Sequence, residues 1–268
     1  MAAFLTYAFL QRALIAGLFI AVACAVLGVF LLLRRDAMIG HGLSHITFAG
    51  VALAFFLRLM PLPVALVTAV LASLGIMKLR DSAGLYADTA IAIVSSVGLA
   101  AGIILATLAH SFSGSLLNYL FGDILAIEPF EVGLTLGLAA VVVFLVLRNY
   151  RALMYTTFDR ESAQASGIPV RRLDALITIL TSVTIVLGMK VVGILLVSAL
   201  VVLPAATGLQ LATSFKAAIL LSSGAAVVSV LVGLATAYVL DLPASGTIVL
   251  AGFVIFTISY AWRKRLAR

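Results

Sequence analysis

Residues 13–33 read ALIAGLFIAVACAVLGVFLLL, and residues 34–47 continue RRDAMIGHGLSHIT. A helix needs roughly 20 predominantly apolar residues to cross a bilayer. Ala13–Leu33 supplies them before Arg34 and Arg35 end the run. A second apolar run, Ile46–Leu57, follows at once. Two histidines, His41 and His45, lie between the runs. On a helix, residues i and i+4 share a face, so both imidazoles point the same way at membrane depth. Ionisable groups there are costly and face a cavity, a pathway or a partner. Imidazole is also a common ligand for borderline metals such as zinc. A metal pathway is the first expectation for the pair. The alternative is two packing histidines hydrogen-bonded to carbonyls or serines.

The rest of the chain has the same character. It is 64% hydrophobic and 10% charged, with a mean hydropathy of +1.28. A soluble domain of that balance would expose apolar surface everywhere. The net charge of +7 does not indicate a nucleic-acid partner. The basic residues fall between apolar runs, where they read as positive-inside topology marks against membrane lipid. The single cysteine, Cys24, excludes an intramolecular disulfide and a cysteine-cluster metal site.

Nine candidate spans follow: 13–33, 38–57, 61–78, 87–109, 130–148, 173–189, 191–211, 217–240 and 245–262. A lone Lys190, after Gly188-Met189, divides two of them. If those two merge, or one is half-length, the count becomes eight. Segment 115–127 is apolar but too short to cross, and reads as re-entrant or interfacial. The expected fold is therefore an all-α, polytopic transmembrane helix bundle with one such short helix. Arg34/Arg35, Lys78/Arg80, Arg148 to Arg172, Lys216 and Arg263 to Arg268 alternate with Arg58, Lys190 and Asp241 along the nine spans. The positive-inside rule then puts the N-terminus outside and the C-terminus in the cytoplasm.

The longest polar stretch, Asn149–Arg172, is placed inside by the same rule. It predicts one short helix over Ser162–Ser166, with Asp159 as N-cap and Gly167 as its C-terminal stop. Small residues recur, as in Gly98-Leu99-Ala100-Ala101-Gly102, a spacing that lets helices pack closely in lipid. Pro204 predicts a kink or break in its span. No G-x-x-x-x-G-K-[ST] phosphate loop, H-E-x-x-H or G-x-S-x-G occurs in the sequence, so nothing marks the chain as an enzyme.

Four blocks in order along the chain carry a resemblance: RRDAMIGHGLSH at 34–45, DTAIAI at 88–93, LNYLFGDILA at 117–126 and VGILLVSALVVLPAAT at 192–207. Together they resemble the membrane permease of the bacterial zinc/manganese ABC importer family. The resemblance implies one permease domain over 1–268, in the bacterial cytoplasmic (inner) membrane, acting as a homodimer. It implies two ATP-binding cassette subunits on the cytoplasmic face, where ATP is used, and an extracytoplasmic metal-binding protein. No cofactor is held permanently; the metal is cargo. Phe158–Ile168, within a coupling segment over about 155–172, resembles the part that contacts the ATPase. Asp159, Glu161, Ala163 and Gly167 are the expected contact residues.

The family commonly carries Asp where this chain has His41. Carboxylate suits harder ions such as Mn²⁺, whereas imidazole suits Zn²⁺. Zinc is therefore the expected cargo, with manganese or iron as the rival. Asp88 and Asp123 are further candidate ligands; equally, Asp88 is a helix N-terminal charge and Asp123 an anchor of segment 115–127. His110, at a span end, reads as an exposed loop residue. Two readings outside the family are an intramembrane metalloenzyme and a partner-free secondary carrier. The first wants an acid beside the histidines, where Gly42, Leu43 and Ser44 stand. The second wants internal repeats, and none is evident.

Overall fold

The computed structural model describes residues 8–83, 86–109, 119–122, 129–194 and 196–266. Over those residues the chain is helical. The elements are α1 (Ala8–Leu33), α2 (Met38–Leu57), α3 (Pro61–Ala83), α4 (Ala87–Leu108), α5 (Pro129–Arg148), α6 (Tyr150–Phe158), α7 (Arg160–Ala165), α8 (Val170–Val192), α9 (Val197–Leu211), α10 (Phe215–Leu240) and α11 (Ala244–Leu266). Eight of these are long and apolar enough to cross a membrane, all but α6, α7 and α9.

The expected span 191–211 is the one that changes. Helix α8 passes straight through Gly188-Met189-Lys190 and ends at Val192, so the boundary is not at the lysine. It falls at Gly193, whose φ of +83° is left-handed and suits glycine alone without strain. A side chain there would also collide with the backbone of Phe121 and Gly122. The Tyr119–Gly122 turn packs into this break, and the Ile194 N–H donates to the Tyr119 carbonyl at 3.1 Å. The rest of segment 115–127, including Asp123, lies outside the described residues, as does His110. What remains, α9, has 15 residues, or about 22 Å of helix, short of the roughly 30 Å hydrocarbon layer. It is nonetheless shielded, because Val197, Leu200, Val201, Pro204, Ala205, Thr207 and Gly208 are buried. Pro204 does not break it.

Helix α1 forms the centre of the bundle. Ala13, Ala16, Ile20, Cys24, Leu27, Phe30 and Leu31 are all buried on it, against α5, α8, α9 and α10. Gly28 lies so close to α9 that a Cβ would overlap the Val201 carbonyl oxygen. Close backbone approach between small residues is how helices gain contact in lipid.

The polar stretch after α5 is more helical than expected, with α6 preceding the short helix. Helix α7 begins two residues earlier than expected, yet both of its ends are as the sequence implies. The Asp159 side chain accepts from the Ser162 N–H at 2.9 Å. At the other end Gly167, with φ +79°, donates to the Gln164 carbonyl and Ile168 donates to Ala163. That pair of bonds is the Schellman closure.

Candidate metal path between α2 and α4

Helix α2 starts from a tight corner. Arg35 is left-handed, with φ +60°, and the Asp36 carbonyl accepts from the Ile39 N–H at 3.1 Å. It stops at Arg58, also left-handed, whose N–H returns to Ala54 and Phe55. His41 and His45 therefore sit on the first two turns. The Nε2 atoms of the two rings are 3.2 Å apart, with the ring planes at 84°. His41 is exposed and His45 half-buried. Each imidazole has the other as its hydrogen-bond partner. Ser44 turns away and donates to the Gly40 carbonyl, so the packing alternative is met only within the pair.

Helix α4 forms the other wall. It seats on α2 through three glycines: Gly42 against Ile91, Gly98 against Ile46, and Gly102 against Phe48 and Ala49. A Cβ at Gly102 would come within 2.6 Å of the Phe48 ring, so the helices touch at closest range. The small-residue run Gly98–Gly102 is thus the seam that fixes this wall. The groove left beside the seam holds about 280 Å³ and is lined by Met38, His41, His45, Asp88, Ser95 and Ser96, among others. Asp88, exposed in the first turn of α4, joins the histidines in this groove. Sequence reading did not anticipate the two serines, since nothing in 88–99 pairs them with α2 without the tertiary contact.

Two zinc–nitrogen bonds of about 2.05 Å at the tetrahedral angle hold their nitrogens about 3.3 Å apart. The observed 3.2 Å is close to that edge and is also the length of a hydrogen bond between the two rings. Among the described residues, no group of three His, Cys, Asp or Glu side chains is placed to hold a metal. The pair offers two donors and leaves the other positions open.

A second polar cluster lies at the α1–α2 corner. The Arg34 guanidinium donates to Asp174 at 2.8 Å, to Thr157 at 3.0 Å and to Thr156 at 2.9 Å. Asp174, on α8, also pairs with Arg160 at 2.8 Å, and Asp36 pairs with Arg80 of α3 at 3.2 Å. Burial lifts the Asp36 carboxyl above its ordinary range, opposed by the Arg80 charge. Sequence reading took Arg34 as a topology mark and passed over Asp174 inside a span. The usable signal was a carboxylate one turn beyond Arg171 and Arg172 in an otherwise apolar helix.

Of the residues expected to meet an ATPase, Asp159, Glu161 and Gly167 are exposed, whereas Ala163 is buried against its own chain.

The sequence profile of the ABC 3 transport family matches residues 6–263. The chain belongs to that family. Among curated relatives of this ABC 3 protein, the manganese import system permease protein ScaB of Streptococcus gordonii is 36% identical over 94% of the chain and 90% of its own length. The high-affinity zinc uptake system membrane protein ZnuB of Haemophilus influenzae is 31% identical, covering 95% of the chain and 97% of its own length. Among solved structures, PsaBC from Streptococcus pneumoniae in complex with Fab superposes with a TM-score of 0.84. It is 35% identical, covering 97% of this chain and 93% of that one. The ABC 3 assignment agrees with the four sequence blocks and with an all-helical membrane bundle. These two relatives are named as a permease protein of an import system and a membrane protein of an uptake system.

Proposed function

We propose that this chain is the membrane permease of an ATP-driven importer of divalent metal ions, with zinc as the favoured cargo. One observation carries the reading: two imidazole nitrogens 3.2 Å apart in an open groove between two apolar helices. A pair of neutral donors with free positions holds a borderline cation briefly. A closed four-ligand site would trap it. Asp88, Ser95 and Ser96 line the same groove, and water fills the positions that the pair leaves open. Manganese is the second reading, favoured by relatives such as ScaB, a manganese import system permease protein.

The chain works as a homodimer, so that a second copy covers the groove. Two ATP-binding cassette subunits bind at α6 and α7, and a metal-binding protein delivers cargo on the opposite side. Asp159 shapes α7 for that contact, while Glu161 and Gly167 form its exposed face. The positive-inside pattern puts the α1–α2 corner, α6–α7 and Arg263–Arg265 in the cytoplasm. Helix α9 then returns the chain through the protein interior despite its length, and the N-terminus lies outside.

The test is metal uptake into proteoliposomes holding this permease with its ATPase and binding protein, zinc and manganese competing. The expected result is ATP-dependent zinc uptake that His41→Ala and His45→Ala each abolish, with the complex still assembled. Unchanged uptake in both variants would return the pair to a packing role. Uptake of manganese in preference to zinc would reassign the cargo.

A further inference from the structure

We propose that Asp174 is a positioning residue for transport: one carboxylate shared between the ATPase-facing helix α7 and the corner that carries the histidines. The inference rests on the permease reading above.

The geometry is a chain of contacts. Arg160, the first residue of α7, pairs with one Asp174 oxygen. Arg34, at the end of α1, pairs with the other. Arg34 also donates to Thr156 and Thr157 of α6, and two residues later Asp36 holds Arg80 of α3. Met38 then opens α2, and His41 and His45 follow within about 11 Å along its axis. A cavity of about 270 Å³, lined by Arg34, Asp36, Arg80, Arg160 and Asp174 among others, leaves these groups room to exchange partners.

Helix α7 is built to move as a unit against this cluster. Its own ends are closed by the Asp159 cap and the Gly167 turn, so it is internally rigid. It joins α6 through the single extended residue Asp159 (φ −143°, ψ 94°) and leads into α8 through left-handed Gly167. Those are hinge positions, where a few residues absorb a change of direction.

Packing accounts for Arg34 but not for Arg160. The Arg34 side chain is 10% exposed and needs Asp174 to offset its burial, whereas the Arg160 side chain is 61% exposed and would be solvated without it. Two cations on one carboxylate divide its charge. A displacement of α7 that loosens Arg160 strengthens the hold on Arg34. A push on α7 is thereby felt at the corner from which the histidine helix begins.

The experiment is a coupling ratio. In proteoliposomes of the complete complex, zinc or manganese uptake and ATP hydrolysis are measured on the same sample. Arg160→Gln removes the exposed arm, Arg160→Lys restores its charge, and Asp174→Asn removes the hub. The expected result is a loss of about fivefold in metal moved per ATP for Arg160→Gln and Asp174→Asn, a difference equivalent to about 1 kcal/mol. Hydrolysis should continue, and Arg160→Lys should recover most of the ratio. If Asp174→Asn does not assemble, Arg160→Gln decides alone. A wild-type ratio in Arg160→Gln would overturn the proposal. So would a proportional fall of uptake and hydrolysis, the mark of weakened ATPase docking. A wild-type complex that moves neither metal would instead remove the metal-importer reading, and this inference with it.

Discussion

Two polar sites lie within a dozen residues of each other along α1 and α2, and they are built in opposite ways. Around Asp174 the polar groups are tied to one another: Arg34 alone holds two hydroxyls and a carboxylate, and no buried polar side-chain atom among the described residues lacks a partner. The His41–His45 groove is open: its two imidazoles hydrogen-bond only each other, and Asp88, Ser95 and Ser96 line it without closing a cluster around them. Satisfied buried polar networks fix a geometry, whereas an unsaturated pair binds and lets go. One site suits holding helices in register, the other suits holding cargo, and the corner between them belongs to both.

The comparison breaks most visibly at Arg34. Arg34→Ala removes hydrogen bonds to Asp174, Thr156 and Thr157 but leaves Asp174 paired with Arg160. Losing bonds of a charged group costs about 1.5–3 kcal/mol, so the thermal unfolding midpoint in detergent should fall clearly. A midpoint close to wild type would mean that the cluster is solvated and carries no such burden. Next comes the α2–α4 seam. Gly102→Leu drives a side chain into Phe48, and overpacking of this kind costs about 1–3 kcal/mol. It should also spoil zinc binding at the histidines without touching them. Retained zinc binding would show that the groove does not depend on the seam.

The histidines themselves should matter little to the empty fold. His41 is exposed, so His41→Ala should change metal-free stability by no more than about 0.5 kcal/mol. Zinc at 100 times its Kd should add about 2.7 kcal/mol to the wild type and much less to the variant. Equal gains would place the ion elsewhere. The smallest effect is local to α7. The hydrogen bond from Ser162 holds the Asp159 carboxyl below its ordinary range. Its contribution to the cap is complete above the usual carboxylate value of about 4 and is lost as pH falls through the lower, folded value. Hydrogen exchange at the Ser162 amide should therefore lose protection only in acid below about pH 4. Protection already lost near neutral pH would dismiss the cap.

Much of this was legible in the sequence because lipid is an undemanding reader. It asks for a long apolar run, and α1–α5, α10 and α11 appear wherever one stands. The ends of α7 were legible because Asp at a cap and Gly at a stop act through their own backbone. The α8–α9 break was legible as a division near Lys190 that could leave one helix half-length and eight spans, but its place at Gly193 was not. Within a continuous apolar stretch, hydropathy carries no information about φ, and the decisive contact with Phe121 and Gly122 comes from a distant part of the chain. The histidine pair was readable because one helical turn fixes its geometry. Asp88 was recognisable as a candidate but not as a neighbour, since only the docking of α4 brings it there. Asp174 went unread for a related reason: a charge inside an apolar run reveals a partner's necessity but not its identity.

The glycine seam also has a consequence for laboratory evolution. With Gly42, Gly98 and Gly102 already at contact, helix separation offers no slack with which to resize the groove. A library aimed at a larger or harder cargo gains nothing from varying the seam. Its productive diversity lies in the side chains that face the open side: His41, His45, Asp88, Ser95 and Ser96.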